Sequence, residues 1–288
     1  MTASLSKLGL GTGQFGLDQP AMSRGRPRDA EARDILSIAG RSGMGVLDVV
    51  RGSTTADTLL RGALPQPNPF KVTLTSIRPD RGPEVAEAEL RAQMLRLGVE
   101  RVDTILAPSA TDLLAPQGAS LWDRLRALKD AGVCRRIGVP VYASDDPVGV
   151  ARRFKPDVVQ APASLLDQRL LLDGSLATLA EMGIEVHLRS IFLNGVLFLP
   201  PDRAPSHLKA AAGRISRARR LIAEGKSDPL QAALGFALTR PEATAVLVGV
   251  TSAAEMSAVV AAAMSPPPDL DWDEMAIDDP DALNWAAA

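Results

Sequence analysis

Asp48 closes the apolar run Gly45–Val50, and strand alternation sends its side chain the same way as Val46. An inward carboxylate must find a partner or take up a proton, because burying its charge is costly. His187 and Arg189 share one parity on the later run Ile184–Phe192, so Arg189 is one available partner. Two outcomes stay open for Asp48, a structural ion pair and a proton-moving group. Tyr142, the single phenol of the chain, follows the run Arg136–Val141, and Gln160 lies within Asp157–Ala163. Ser252-Ala253-Ala254-Glu255 has the spacing of a capping box, in which serine and glutamate serve two orphan amides at a helix start. The same amides would suit a phosphate. Gly11-Thr12-Gly13-Gln14-Phe15-Gly16 spells G-x-G-x-x-G, but a dinucleotide fingerprint needs a helix that starts there. Pro20, Gly25 and Pro27 speak against one, which leaves a tight glycine turn at a strand end. Cys134 has no histidine near it in sequence to activate it and reads as an inert thiol.

Composition removes whole classes of function. The 288 residues carry 32 basic and 34 acidic side chains, a net of −2, so no electrostatic grip on nucleic acid or an anionic membrane is expected. One cysteine excludes an intramolecular disulfide framework, and two histidines exclude a polyhistidine zinc site; no metal is expected. Met1–Lys7 lacks the apolar stretch of a signal peptide, and no apolar run approaches the ~18 residues of a membrane span. The expected address is cytoplasmic.

The elements that must position these residues recur regularly. Apolar runs at Lys7–Thr12, Gly45–Val50, Lys71–Ser76, Val102–Pro108, Arg136–Val141, Asp157–Ala163, Ile184–Phe192 and Ala245–Val250 predict eight strands. Helical periodicity fills stretches between them, including Asp29–Ser42, Pro83–Leu97, Ser120–Ala131 and Pro229–Thr239. The runs look continuously apolar, as strands buried on both faces should. Eight strands alternating with helices over ~250 residues predict an α/β fold, a (β/α)8 TIM barrel in one domain spanning 1–288. A long insertion at about 194–227 carries Pro200, Pro201 and Pro205, then a predicted helix from about His207 to Glu224. Its Arg214, Arg217, Arg219 and Arg220 read as a solvated face. From about 265 an irregular tail with Pro266–Pro268 and Trp285 is expected to wrap the exterior. Barrel logic places function at the C-terminal strand ends, which here carry Gln14, Asp48, Arg51, Ser53, Tyr142, Gln160, Ser164, Arg189 and Asn194.

Several runs in order resemble the aldo-keto reductase superfamily over nearly the full chain. They are Leu8–Gly16, Gly45–Asp48, Leu125–Val133, Arg136–Val139, Val159–Pro162, Leu166–Arg169, Arg189–Leu193 and Val248–Ser252. The wording is most similar to members found beside bacterial sugar-biosynthesis functions. The resemblance implies an NAD(P)H-dependent carbonyl reductase with a tetrad at the barrel mouth. In that tetrad tyrosine is the general acid, lysine lowers its pKa, aspartate pairs with the lysine, and histidine orients the carbonyl. Asp48 matches the aspartate, whereas tyrosine, lysine and histidine fall at Ser53, Leu74 and Pro108. Tyr142 ends the fifth run near the same mouth and is the one phenol that could step in.

The resemblance also bears on NADP or NAD. Gln160 and Ser190 match positions that line the nicotinamide pocket, with Arg189 beside them and Ser252 and Glu255 in the last loop. Pro140 replaces a serine, Ser164 an asparagine, Thr251 a basic residue at the 2′-phosphate, and Ala258-Val259 a Glu-Asn pair at adenine. The expectation is a degenerate barrel without ordinary reductase activity, acting in binding or regulation on a small-molecule ligand or a protein partner. The alternative is an enzyme of altered chemistry on a sugar or other small carbonyl substrate. Asp48 would then be acid/base, with Arg189, Tyr142 and Gln160 holding an anionic or sugar substrate.

Overall fold

A computed structural model describes residues 5–16, 26–49, 51–199, 211–277, 279 and 283, apart from the side chain of Asn194. Pro200, Pro201, Pro205, His207 and Trp285 lie outside the described residues. Eight parallel strands close into a barrel in chain order. They are β1 (Leu8–Gly11), β2 (Val46–Val49), β3 (Lys71–Thr75), β4 (Val102–Leu106), β5 (Cys134–Pro140), β6 (Val158–Pro162), β7 (Glu185–Arg189) and β8 (Ala243–Val248). The main helices between and after them are α1 (Asp29–Arg41), α2 (Thr54–Ala63), α3 (Pro83–Leu97), α4 (Gly118–Asp130), α5 (Pro147–Phe154), α6 (Ser175–Glu181), α7 (Ala212–Glu224), α8 (Pro229–Leu238) and α9 (Ala253–Met264).

Local chemistry explains the elements. Helix α1 begins on Asp29 and Glu31 and ends on Arg41, charges that complement its dipole, and it buries Ala32, Ile35, Leu36 and Ala39. Helix α3 starts on Pro83 and stops at Gly98, whose left-handed backbone turns the chain out of the helix. On the strands, Leu47, Val49, Leu74, Ile105, Ile137, Val139, Val159, Ala161 and Leu188 join the main hydrophobic core between barrel and helices. Val46, Ala245 and Leu247 form a small separate cluster inside the barrel. Gly9 belongs to that inner side, where a Cβ would lie 2.6 Å from Leu247 Cδ2 and 3.0 Å from Val46 Cβ.

The strands differ from the sequence reading in one respect. Those from β3 to β7 are mainly apolar outward but mix polar residues with Leu106 and Val158 inward. Register pairs Asp48 with Thr73, Thr73 with Thr104, Thr104 with Arg136, and Gln160 with His187, so these polar residues share the inner face. Short runs conceal this alternation because threonine is β-branched and sits comfortably in a strand.

Two smaller corrections follow. Gly13–Gly16 does form one helical turn, although four residues are too few to aim an anion-binding end. The insertion helix is described over Ala212–Glu224, and its expected start near His207 lies outside the described residues. Arg219 is not part of a solvated face, since its guanidinium donates to the carbonyls of Val196, Leu197 and Leu199 and gathers the turn Leu193–Phe198. The tail meets the barrel where Gln168 Nε2 donates to Trp272 O at 2.6 Å and the Trp272 ring packs edge-on against Phe236.

Candidate functional site at the barrel mouth

Asp48 points into the barrel near the C-terminal end of β2, half-buried, and its carboxyl is pushed up to about 6. Loss of hydration by burial is the cause, opposed by the side-chain amide of Gln160 and the positive fields of His187 and Arg189. These groups reach it from across the barrel, on β6 and β7. The ion pair to Arg189 is not formed, since no salt bridge joins the two residues. Arg189 turns instead over the Tyr142 ring, 4.3 Å from its centroid, and donates through Nη2 to Val141 O at 3.2 Å. Tyr142 is thereby the platform for a cation.

Below Asp48 the barrel floor is tightly paired. Arg136 is buried and bridges Asp103 and Glu185, and one imidazole nitrogen of His187 lies 3.8 Å from Glu185 Oε2. His187 first and Arg136 next hold the Glu185 carboxyl down at about 2, against the cost of its burial. Near the mouth, by contrast, buried polar atoms go without partners. Among the described residues Thr73 Oγ1, the second nitrogen of His187 and Arg189 Nε make no hydrogen bond, and Gln160 Nε2 makes none of good geometry although its amide lies close enough to favour the ionised form of Asp48. Four of the five such atoms among the described residues therefore belong to this one inner face, the fifth being Glu242 Oε2. Sequence reasoning missed Thr73 as a lining residue; its register opposite Asp48 was the available signal.

The positions assigned to the lost tetrad behave differently from one another. Ser53 is the N-cap of α2, its Oγ accepting from Ala56 N at 3.1 Å. The assignment of Leu74 to the lysine position needs correction: Leu74 pairs in register with Val49 and Ile105 and faces outward, fully buried in the core. The third-strand residues that do face the mouth are Thr73 and Thr75, which are in register with Asp48 and Leu106. Pro108 follows β4 and brings no hydrogen-bond donor of its own. Arg51, another mouth residue, donates to Ser76 O at 3.0 Å. Cys134 is buried, and loss of hydration pushes its thiol up to about 11, which leaves it inert.

The last loop is closed by its own side chains. Ser252 caps α9 by accepting from Glu255 N at 3.1 Å. Glu255 Oε2 accepts from Thr251 N at 2.7 Å and from Thr251 Oγ1 at 3.0 Å. Two residues on from Thr251, Ala253 N donates to the carboxylate of Glu31 on α1. Ser164 Oγ is likewise engaged, accepting from Leu166 N and Asp167 N within its turn, and Ser190 sits at a left-handed φ of 58°. Among the described residues no group of three or more His, Cys, Asp or Glu could hold a metal ion, and no helix is long and apolar enough to cross a membrane.

A closed parallel barrel with a polar mouth matches what comparison with known proteins finds. The sequence model of the aldo/keto reductase family matches residues 7–277, and the chain belongs to that family. Similar solved structures include the holo form of an aldo-keto reductase from Bacillus halodurans, 18% identical with a TM-score of 0.72, covering 93% of this chain and 89% of that one. An aldo-keto reductase structure from Pseudomonas aeruginosa is also 18% identical, with a TM-score of 0.64 and 89% of each chain covered. At such identity the likeness concerns the fold. Among curated proteins no relative matches by sequence.

The family generally binds NAD(P), so the fit of that cofactor can be judged on these residues. A phosphate at the start of α9 needs free amides and positive charge. Here Thr251, Ala253 and Glu255 spend their amides on internal acceptors, and two of those acceptors are carboxylates. Only the Ser252 and Ala254 amides are left without an acceptor among the described residues, and with Glu31 and Glu255 beside them this helix start is a poor fit for a dinucleotide phosphate.

Proposed function

We propose that this barrel is a degenerate member of its family, without ordinary NAD(P)H-dependent carbonyl reductase activity, and that it acts by binding a small ligand at the mouth. The observation that carries this reading is the third strand beside Asp48, which turns Thr73 and Thr75 toward the mouth where the family's lysine is expected, while Ser53 is committed to capping α2. A hydride acceptor becomes an alkoxide that a positioned acid must protonate, a contribution of ~10²–10⁴-fold. Ser53 is a weaker acid than a phenol, and Tyr142 is held beneath the Arg189 guanidinium. His187 shares the inner face but sits one strand position deeper than Arg189, next to Glu185. The carboxylates at the start of α9 support the same reading from the cofactor side.

Purified protein incubated with NADPH or NADH and a panel of aldehydes, ketones and sugars should consume no reduced nucleotide above the protein-free rate. Turnover at ordinary enzyme rates, on the order of 1 s⁻¹ or faster, would falsify the reading. The second reading, an enzyme of altered chemistry, is favoured by the setting of Asp48: burial pushes its carboxyl up to about 6, where it can both give and take a proton near neutrality.

A further inference from the structure

We propose that the mouth is a binding site for a small 2-oxo- or 2-hydroxycarboxylate, whose carboxylate is held by Arg189 and whose second oxygen faces Gln160, His187 and Asp48. The proposal rests on the binding function argued above and gives it a ligand class.

The donor inventory leads to that class. Among the described residues Arg189 forms no ion pair; it spends Nη2 on a backbone carbonyl, lays its face on Tyr142, and keeps Nε buried without an acceptor. A guanidinium fixed in this way presents a planar edge suited to a carboxylate. Beside it, Gln160 and His187 are 4% and 2% exposed, yet each keeps a polar atom unpaired. Thr73, 1% exposed, adds an unpaired hydroxyl. Buried polar groups are nearly always satisfied, and a cluster that is not satisfied by its own protein is open to an outside partner. The partner must offer acceptor oxygens, because Gln160 Nε2 and Arg189 Nε only donate. It must also be small, since the buried side chains of Leu106 and Val158 take up part of the same inner face.

Charge sets the sign of the ligand. The floor already balances Arg136 against Asp103 and Glu185, whereas Arg189 on the inner face and Arg51 at the rim have no carboxylate partner among the described residues. The groups facing Asp48 are Thr73 from β3, Gln160 from β6, and His187 and Arg189 from β7. Ionised Asp48 would repel an incoming anion, whereas its protonated form donates a hydrogen bond to the anion's second oxygen. The site should therefore take up a proton along with the ligand.

Calorimetry on the full chain tests this with sodium pyruvate and sodium lactate, using hydroxyacetone as the neutral comparator. Saturable binding of pyruvate or lactate is expected, with hydroxyacetone at least about tenfold weaker. Affinity should fall by up to about tenfold per pH unit above the Asp48 titration. Asp48→Asn should flatten that pH profile. Arg189→Leu should abolish binding and Arg189→Lys should weaken it, with circular dichroism confirming a native fold. If Arg189→Leu does not fold, the Asp48→Asn profile and the hydroxyacetone comparison decide. Absence of pyruvate and lactate binding, equal binding of hydroxyacetone, or a pH profile unchanged in Asp48→Asn overturns the site. Adding NADPH to the same samples separates the two claims. Oxidation of NADPH with bound pyruvate would defeat the proposed lack of reductase activity and leave the anion site standing. No binding and no oxidation would defeat the anion site alone.

Discussion

The two ends of the barrel interior handle polar groups in opposite ways. At the floor, Arg136 is clasped by Asp103 and Glu185, and His187 turns one nitrogen to Glu185. At the mouth, Thr73, Gln160, the other nitrogen of His187, and Arg189 keep buried atoms unpaired around a carboxyl raised to about 6. Paired buried charges hold an arrangement in place, and removing one member leaves the others stranded. Unpaired buried donors gain nothing for the fold, and in the proposal above they are the groups that a ligand's acceptor oxygens would satisfy. His187 is the one side chain that belongs to both ends.

The sharpest test of that division contrasts neighbours on one strand. Leu74→Lys places an ammonium in the outer core, and loss of more than about 4 kcal/mol is expected, seen as failure to fold or a collapsed urea midpoint. Thr75→Lys, one residue on and facing the mouth, should fold. Arg136→Met comes next, with about 3–5 kcal/mol lost in urea denaturation because Asp103 and Glu185 lose their shared cation.

Asp48→Asn has the opposite sign and a smaller size. A carboxyl whose folded pKa is raised binds its proton more tightly in the native state. Its favourable share of stability is complete below the unfolded value of 3.8 and is lost as pH rises through about 6. The asparagine variant should therefore be about 1–3 kcal/mol more stable than the parent near neutrality, and the gain should vanish near the unfolded pKa. An Asp48→Asn protein destabilised near neutrality would mean that the mouth carboxylate is paired after all.

Much of this arrangement was legible in the sequence. Outward strand residues such as Leu47, Val49, Ile105 and Val159 are aliphatic because they face helices, and that made all eight strands visible. Asp48 stood out by parity alone, and the Ser252–Glu255 spacing marked the start of α9. Leu74 was misplaced because matching a motif by position ignores the pleat, whereas pairing with Val49 fixes its direction outward. The contact of Glu31 with Ala253 joins residues 222 apart and carries no local signature. Arg219 looked solvated because the carbonyls it gathers come from another loop. The missing partners of Gln160 and Thr73 became visible only once the register put them on one face.

The central claim, a family barrel that does not use its reduced nucleotide, is tested most directly by titrating the purified protein with NADPH and with NADH while following nucleotide fluorescence. With Ala253 N donating to Glu31 and Thr251 to Glu255, NADPH should bind no more tightly than NADH, and both only weakly or not at all. Tight binding of NADPH, with at least tenfold preference over NADH (about 1.4 kcal/mol), would show that a phosphate site exists and contradict the account.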